Sequence, residues 1–206
     1  TTVNVLAATW IQFMVKDWLS HGPGDAAHPH TLDLADDDPW PAEGRPMIIP
    51  SITPDPTSAG GLTAFRNENT PWWDASSIYG DTAQHQQYIR GPRGTLDLDK
   101  MGLLAAPDDP AADPAQVPGF WAGLATMGLI FAREHNAVCG ALADANPQWD
   151  DDEIYHRARL VVSALIAKIH TVEWTPAIIS HPTTVAALRA NWYGLAGQRI
   201  KDTFGR

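Results

Sequence analysis

The strongest constraint on the fold is a pair of long segments whose apolar residues recur with helical spacing. The second segment, about residues 151–172, carries apolar side chains one and two turns apart, at Ile154, Ala158, Val161, Val162, Leu165, Ile166 and Ile169. The first covers about residues 120–144, and Asn146-Pro147 separates the two. The acidic run at 150–153 favours a helix start, because a helix dipole is stabilised by negative charge there. We therefore predict a mainly α fold with these segments as core helices.

The rest of the chain predicts shorter elements. Residues 3–20 place several apolar side chains on roughly one helical face, namely Val3, Leu6, Ala7, Trp10, Phe13, Met14 and Trp18. A last core helix is expected over about residues 182–193. Residues 22–62 are rich in Pro, Gly and Asp and have no helical period, so we expect a long ordered loop. A short helix near 81–90 and one short β-hairpin within 91–116 complete the prediction.

Composition argues against a nucleic-acid partner. The 206 residues carry 14 Lys and Arg against 24 Asp and Glu, a net charge of −10. Nucleic-acid-binding proteins usually have a basic face, whereas the basic residues here are scattered. Cys139 is the single cysteine, so no internal disulfide can form, and its place on the apolar side of a helix assigns it to packing.

The apolar pattern of the sequence also bears on membrane contact. No stretch approaches the ~20 apolar residues that span a bilayer, so we expect no transmembrane segment, and peripheral membrane contact stays open. No signal peptide is visible, and the compartment is not assigned. The chain already has helical spacing at residues 1–8 and ends abruptly at Gly205-Arg206, so we expect it to be part of something larger.

Three polar constellations are candidates for function. Gln12 and Lys16 are four residues apart and share a helical face, although such residues usually lie at the surface. A second group, Thr70, Trp72, Asp74 and Ser76, alternates along a loop, which turns successive oxygens to one side as calcium requires. The alternative is that Asp74 and Ser76 cap a short helix.

The third constellation is His170 with Thr175 near the end of the long helix, which we expect Pro176 to terminate. An imidazole donor and a hydroxyl suit an anionic head group. The alternative is a core histidine and a capping threonine.

Four segments together resemble the haem peroxidase superfamily of animal peroxidases, cyclooxygenases and plant fatty-acid α-dioxygenases, most closely the α-dioxygenases. They read Trp10-Ile-Gln-Phe-Met-Val-Lys-Asp-Trp-Leu-Ser-His21, Arg133-Glu-His-Asn136, Lys168-Ile-His-Thr-Val-Glu-Trp-Thr-Pro176 and Arg189-Ala-Asn-Trp-Tyr-Gly194. The resemblance implies a haem-peroxidase-like helical domain with long ordered loops, of which this chain holds the N-terminal, distal part. It assigns Arg133–Asn136 to a structural polar network, for which we expect paired buried charges.

On the distal helix, the resemblance matches Gln12 and Asp17 to the family's glutamine and aspartate. Lys16 stands where the family has the distal histidine that moves a proton during peroxide activation. A lysine with an ordinary pKa of about 10.4 cannot be that base unless burial lowers its pKa strongly. We therefore expect impaired or altered peroxide activation.

The resemblance also implies two binding sites. It supplies a calcium set of Asp17, Thr70, Trp72, Asp74 and Ser76, with a structural role for the ion. It also matches His170 and Thr175 to the pair that binds a fatty-acid carboxylate in the α-dioxygenases, with Glu173 in place of an aspartate. If the carboxylate is held in place, the carbon next to it, rather than a carbon in the middle of the chain, lies near the group that abstracts hydrogen as a radical.

The expected cofactor is haem b. Val15 and Val117–Phe120 stand where animal peroxidases carry ester-forming acids, so no covalent haem link is expected. No His has Tyr three residues before it, so the proximal iron ligand of the family is not in this chain, and we expect it beyond Arg206.

Three functions follow from these patterns. The first is haem-dependent α-dioxygenation of a fatty acid, in which a hydrogen is abstracted beside the carboxylate and oxygen adds there. The second is a haem peroxidase that oxidises small reductants. The third, from another class, is a non-catalytic fragment or pseudoenzyme, which Lys16 and the missing proximal histidine favour.

Overall fold

The structure, a computed structural model, describes residues 3–22, 24–58, 60–101 and 121–204. The predicted mainly α fold is confirmed. The chain divides into two compact units, one formed by Thr1–Met14 with Trp73–Arg206 and the other by Val15–Trp72. Helix α1, Val5–Trp18, begins in the first unit and ends in the second.

The first unit is built from helices. Along the chain they are α2 (Ser76–Tyr79), α3 (Ala83–Tyr88), a 3₁₀ turn (Pro92–Gly94), α4 (Ala122–Ala145), α5 (Asp151–Lys168), a π-helix (Ile169–Trp174), α6 (Thr175–Ile178), α7 (Pro182–Tyr193) and α8 (Gly197–Phe204). Asp150 caps α5 as its acidic run suggests, because its carboxylate accepts the Glu153 main-chain N–H at 2.8 Å. The helix does not end at Pro176. This proline lies in the first turn of α6, where its missing N–H costs little.

An aromatic cluster packs α1 against α4. The rings of Phe13 and Phe131 stack with centroids 5.6 Å apart, and Trp10 lies 6.0 and 6.1 Å from these two rings. Trp10, Phe13 and Met14 are buried, as the helical spacing predicts. Val3 and Leu6, assigned to the same face, are 64% and 52% exposed, so the buried stripe begins only near Trp10.

Helix α4 also packs on α5 through residues buried in their interface. They include Cys139, Ile154 and Ala158, with Val138, Leu142, Ala143 and Trp149 partly buried around them. Cys139 therefore serves packing, and burial raises the pKa of its thiol to about 11. Val161, predicted on the buried face of α5, is exposed, whereas its neighbour Val162 is buried.

A buried polar network joins the 3₁₀ turn to α4. His135 is fully buried, its Nε2 is 3.0 Å from the Gly94 carbonyl, and its Nδ1 is 2.9 Å from the Tyr79 hydroxyl. A carbonyl can only accept, so Nε2 carries the proton and Tyr79 donates to Nδ1. Burial lowers the pKa of His135, which keeps the ring neutral.

One neighbour of His135 extends this network, and two do not. Asn136 pairs with both main-chain groups of Leu96, accepting its N–H at 2.7 Å and donating to its carbonyl at 3.0 Å. Arg133 and Glu134 are exposed. The expectation that buried charges of Arg133–Asn136 hold the helices together is therefore wrong, because the neutral His135 and Asn136 do so instead.

Gly94 makes the close approach of the turn to α5 feasible. Its φ is +71°, and an added Cβ would lie 2.7 Å from the Tyr155 nitrogen and 2.9 Å from the Asp151 carbonyl. Only glycine combines this left-handed conformation with so little space.

The second unit contains a sheet where we expected a long loop. Strand β1, Asp25–Leu32, pairs antiparallel with β2, Met47–Ser51, with an irregular register between Asp25 and His30. Each strand contains a proline, Pro29 or Pro50, which argues against a strand in sequence analysis. Both are tolerated because each strand of a two-stranded sheet has one edge that needs no ladder hydrogen bonds.

Two sequence expectations fall partly outside the described residues. For the hairpin within 91–116, residues 102–116 lie outside, and the described part has one isolated antiparallel bridge between Arg90 and Leu96. Val117–Phe120 also lies outside. Among the helices that the structure describes, none is long and apolar enough to cross a bilayer.

The Tyr79–His135 hydrogen bond predicts a measurable loss of stability. Tyr79→Phe keeps the ring but leaves a buried imidazole nitrogen without its donor, so we expect a loss of about 1–3 kcal/mol in the free energy of unfolding. The matched control is Tyr88→Phe, at a ring that is 48% exposed, with an expected change within about 0.5 kcal/mol. Chemical denaturation measures both, and equal losses would contradict this account.

Candidate functional site

The polar side chains of α1 are held by neighbours that the sequence does not reveal. The Trp121 indole N–H donates to the Gln12 amide oxygen at 2.5 Å, within the first unit. Gln12 is half-buried. Because its oxygen accepts from Trp121, the amide is oriented with its NH₂ group as the donating end.

Lys16 and Asp17 lie on the part of α1 that belongs to the second unit. Lys16 is half-buried, and desolvation lowers the pKa of its ammonium group. Asp17 is only 1% exposed. Both residues are thus largely withdrawn from water, unlike ordinary charged side chains on a helix.

Two asparagines fix the end of α1 in the second unit. Asn69 Nδ2 donates to the Lys16 carbonyl at 2.8 Å, and Asn67 Nδ2 donates to the Trp18 carbonyl at 2.7 Å. The Asn67 oxygen accepts the Ser20 main-chain N–H at 2.9 Å. They satisfy carbonyls that a helix end leaves unpaired. The sequence shows these residues as an Asn-Glu-Asn run at 67–69, but only the folded chain brings the run to the end of α1.

The loop proposed for calcium has local hydrogen bonds at both ends. Thr70 Oγ1 accepts the Trp72 main-chain N–H at 3.2 Å in the second unit. In the first unit, Asp74 Oδ1 accepts the Ser76 N–H at 3.1 Å, and Arg159 donates to the Asp74 carbonyl. The N-cap of α2 is Ala75, which makes no side-chain cap hydrogen bond, so neither Asp74 nor Ser76 caps this helix as the alternative predicts. Among the described residues no three His, Cys, Asp or Glu side chains cluster as metal ligands.

A π-helix brings His170 and Thr175 together. In an α-helix residues five apart point about 140° away from each other, since each residue turns the helix by about 100°. Here the Thr175 N–H bonds the His170 carbonyl five residues back, and the Thr175 hydroxyl donates to the same carbonyl at 2.7 Å. Short π segments occur frequently at functional sites.

Three tryptophans surround the imidazole of His170. The Trp10 indole N–H lies 3.2 Å from His170 Nδ1, and Trp174 stacks on the ring at a centroid distance of 5.3 Å and an angle of 22°. Trp73 is 5.5 Å away. Desolvation lowers the pKa of His170, so the ring is neutral at pH 7. The sequence identifies His170 but not these contacts, because Trp10 and Trp73 come from distant segments and Trp174, four residues away, reaches the ring only in the folded π-helix.

An apolar cavity of about 420 Å³ adjoins this cluster. Its walls are aliphatic and aromatic side chains of the first unit, chiefly Leu6, Trp10, Met127, Ile169, Trp174 and Ile178. Trp10 and Trp174 contact both the cavity and His170. An imidazole whose neighbours Trp10 and Trp174 line an apolar cavity suits a ligand with a polar head and a hydrocarbon body.

The sequence profile described as "Animal haem peroxidase" matches residues 1–204. The chain belongs to the animal haem peroxidase family. It is 38% identical to the α-dioxygenase PIOX of Oryza sativa subsp. japonica over 98% of this chain and 33% of the relative. The crystal structure of the Oryza sativa fatty-acid α-dioxygenase matches with a TM-score of 0.79 and 36% identity, over 98% of this chain and 33% of that one.

A variant of the rice enzyme has been solved with palmitic acid. It matches with a TM-score of 0.76 and 36% identity, again over 98% of this chain and 33% of that one. The chain therefore spans about a third of the length of these relatives.

A haem peroxidase site needs polar groups on one side of the haem and an iron ligand on the other. Gln12, half-buried on α1 with an amide that Trp121 orients, is a polar group of the kind that such a site needs. His135 cannot serve as the iron ligand, since both its ring nitrogens already form hydrogen bonds within the protein. His170 uses Nδ1 for Trp10. The described residues thus include a polar group that fits a haem site, while His135 does not fit the role of its iron ligand.

Proposed function

We propose that this chain forms the distal part of a haem-dependent fatty-acid α-dioxygenase. The observation that carries the proposal is the pair His170 and Thr175, joined across a π-helix whose Ile169 and Trp174 line an apolar cavity. The similarity of the chain, over nearly its whole length, to fatty-acid α-dioxygenases supports this function. The reaction removes a hydrogen from the carbon next to a carboxylate and adds dioxygen there.

In this proposal His170 and Thr175 hold the carboxylate. The neutral imidazole donates one N–H to a carboxylate oxygen, which only accepts. The Thr175 hydroxyl has one hydrogen, so it gives up its bond to the His170 carbonyl and rotates to donate to the carboxylate instead. The apolar cavity receives part of the hydrocarbon chain, and the fixed carboxylate places the adjacent carbon.

Gln12 and Lys16 line the haem in this proposal. Haem, when bound, supplies the one-electron oxidation that starts such chemistry. Val15 stands where animal peroxidases have an ester-forming aspartate, which supports a non-covalent haem b. Gln12 is held by Trp121 and can donate through its amide nitrogen.

Lys16 favours a second candidate function, a protein of this family with weak or absent peroxide activation. Burial lowers the pKa of Lys16, which is the direction that a base at neutral pH requires. The ordinary pKa of a lysine, however, is about 10.4, several units above neutrality. An ammonium donates protons and does not accept them. A small-reductant peroxidase needs the same base, so Lys16 weighs against that alternative too.

We also propose that calcium binds Asp17, Thr70, Trp72, Asp74 and Ser76. These residues offer two carboxylates, two hydroxyls and a main-chain carbonyl, a chemically suitable donor set for a hard cation. The Asp74 oxygen that bonds Ser76 leaves its second oxygen for metal coordination. The ion would have a structural role.

The fatty-acid proposal is tested with the haem-loaded protein and palmitic acid. We expect a 2-hydroperoxide, or products of its decay, by mass spectrometry. His170→Phe keeps the ring stacked on Trp174 but removes the donor, so KM should rise about 10- to 100-fold, as for a lost hydrogen bond to a charged group. His156→Ala, at an exposed histidine of α5, is the control and should change little. Oxygenation at mid-chain carbons would disprove the proposal.

Lys16→His tests the distal position. It restores a base with a pKa near neutrality, so the haem absorbance should respond to hydrogen peroxide faster by about 100-fold or more. Lys16→Met removes the charge without supplying a base and should show no such gain. An unchanged rate in the histidine variant shows that Lys16 does not limit the reaction.

Removal of calcium should destabilise the protein. We expect chelation to lower the melting temperature by several degrees, as loss of a tightly bound ligand of the folded state does. Asp74→Asn should melt lower and respond little to chelator, whereas Asp99→Asn, at an exposed carboxylate, should behave like the wild type. Elemental analysis that finds no calcium in purified protein would contradict the proposal.

A further inference from the structure

We infer that Trp10 is a positioning residue that fixes His170 in the tautomer protonated at Nε2, so that this ring presents an N–H to the substrate carboxylate. The inference rests on the proposed function of His170. It assigns to Trp10 a role beyond its packing in the aromatic cluster of α1 and α4.

The direction of the Trp10–His170 hydrogen bond follows from chemistry. An indole nitrogen carries a hydrogen and has no lone pair to accept with, so Trp10 can only donate. The distance of 3.2 Å from Trp10 Nε1 to His170 Nδ1 therefore requires a lone pair on Nδ1. A neutral imidazole has one protonated nitrogen, which must then be Nε2.

Trp10 is well placed to impose this tautomer because it is rigid. It is 5% exposed and packs against Phe13 and Phe131, so its indole cannot easily turn away. Trp174 stacks on His170 and restrains rotation of the imidazole. The hydrogen bond links residues 160 positions apart, so its geometry depends on the fold and not on local chain conformation.

The tautomer decides whether a carboxylate can bind. A carboxylate only accepts, so an unprotonated nitrogen facing it would repel it, whereas an N–H attracts it. Because Trp10 occupies Nδ1, a carboxylate bonded to His170 must use Nε2. A protonated ring would also direct an N–H against the indole N–H. Trp10 thus lets His170 bind an anion as a neutral donor.

Trp10→Phe is the test variant, because it keeps an aromatic ring in the cluster and removes the donor. Trp174→Phe is the matched control for the tautomer alone, because Trp174 also lines the apolar cavity. It keeps a ring against His170, and the Trp174 indole nitrogen has no hydrogen-bond partner among the described residues. Nitrogen-15 NMR of histidine-labelled protein reads the tautomer directly, without substrate.

In the wild type and in Trp174→Phe, His170 should show a protonated Nε2 and an unprotonated Nδ1. In Trp10→Phe the two tautomers should mix. The KM for palmitic acid should rise about 3- to 10-fold, the effect of one neutral hydrogen bond, with a smaller change in kcat.

A protonated Nδ1 in the wild type, or an unchanged tautomer in Trp10→Phe, would overturn the inference. So would a KM that rises in His170→Phe but stays constant in Trp10→Phe. An unchanged KM in both variants would instead overturn the role of His170 under the proposed function, since the NMR result does not depend on substrate. If Trp10→Phe does not fold, the wild-type NMR spectrum still tests the inference, because it shows which nitrogen of His170 is protonated.

Discussion

The candidate substrate site depends on one local change in helix geometry, the π-helix at Ile169–Trp174. An α-helix continued through this segment would point His170 and Thr175 in different directions. The wider turn places them together and lets both the Thr175 N–H and its hydroxyl bond the His170 carbonyl. It also allows Pro176 to follow within the first turn of the next helix, where no N–H is needed. The same distortion therefore explains the pairing and the continuation past proline.

Helical periodicity predicted the parts of the fold in which packing and sequence spacing agree. The mainly α class followed from the repeated apolar positions of the α4 and α5 segments, and Cys139 is buried in their interface as expected. The sheet of the second unit was not predictable in the same way. Pro29 and Pro50 read as loop residues, and only pairing between distant segments makes them part of strands. Val161 and Val162 were both assigned to the buried face, but adjacent residues of a helix point about 100° apart, and only Val162 is buried.

Candidate site residues could be named from the sequence, but their partners could not. His170 and Gln12 are recognisable by their surroundings in the chain, whereas Trp10 and Trp121 bond them across 160 and 109 positions. Such contacts have no periodic signature. The Arg133–Asn136 segment shows the opposite error, since a charged pattern suggested an ionic network. The buried contacts are instead made by neutral groups of His135 and Asn136, which avoid the high cost of burying charge.

Helix α1 connects the two polar regions of the candidate site. Trp10 donates to His170, and two positions later Gln12 accepts from Trp121, so side chains about 200° apart on one helix are both held by hydrogen bonds. Neither contact tolerates a rotation of α1 about its axis, because hydrogen bonds weaken steeply away from linearity. The buried rings of Phe13 and Phe131 fix that rotation. Packing of this aromatic pair therefore sets the tautomer of His170 and the orientation of the Gln12 amide together.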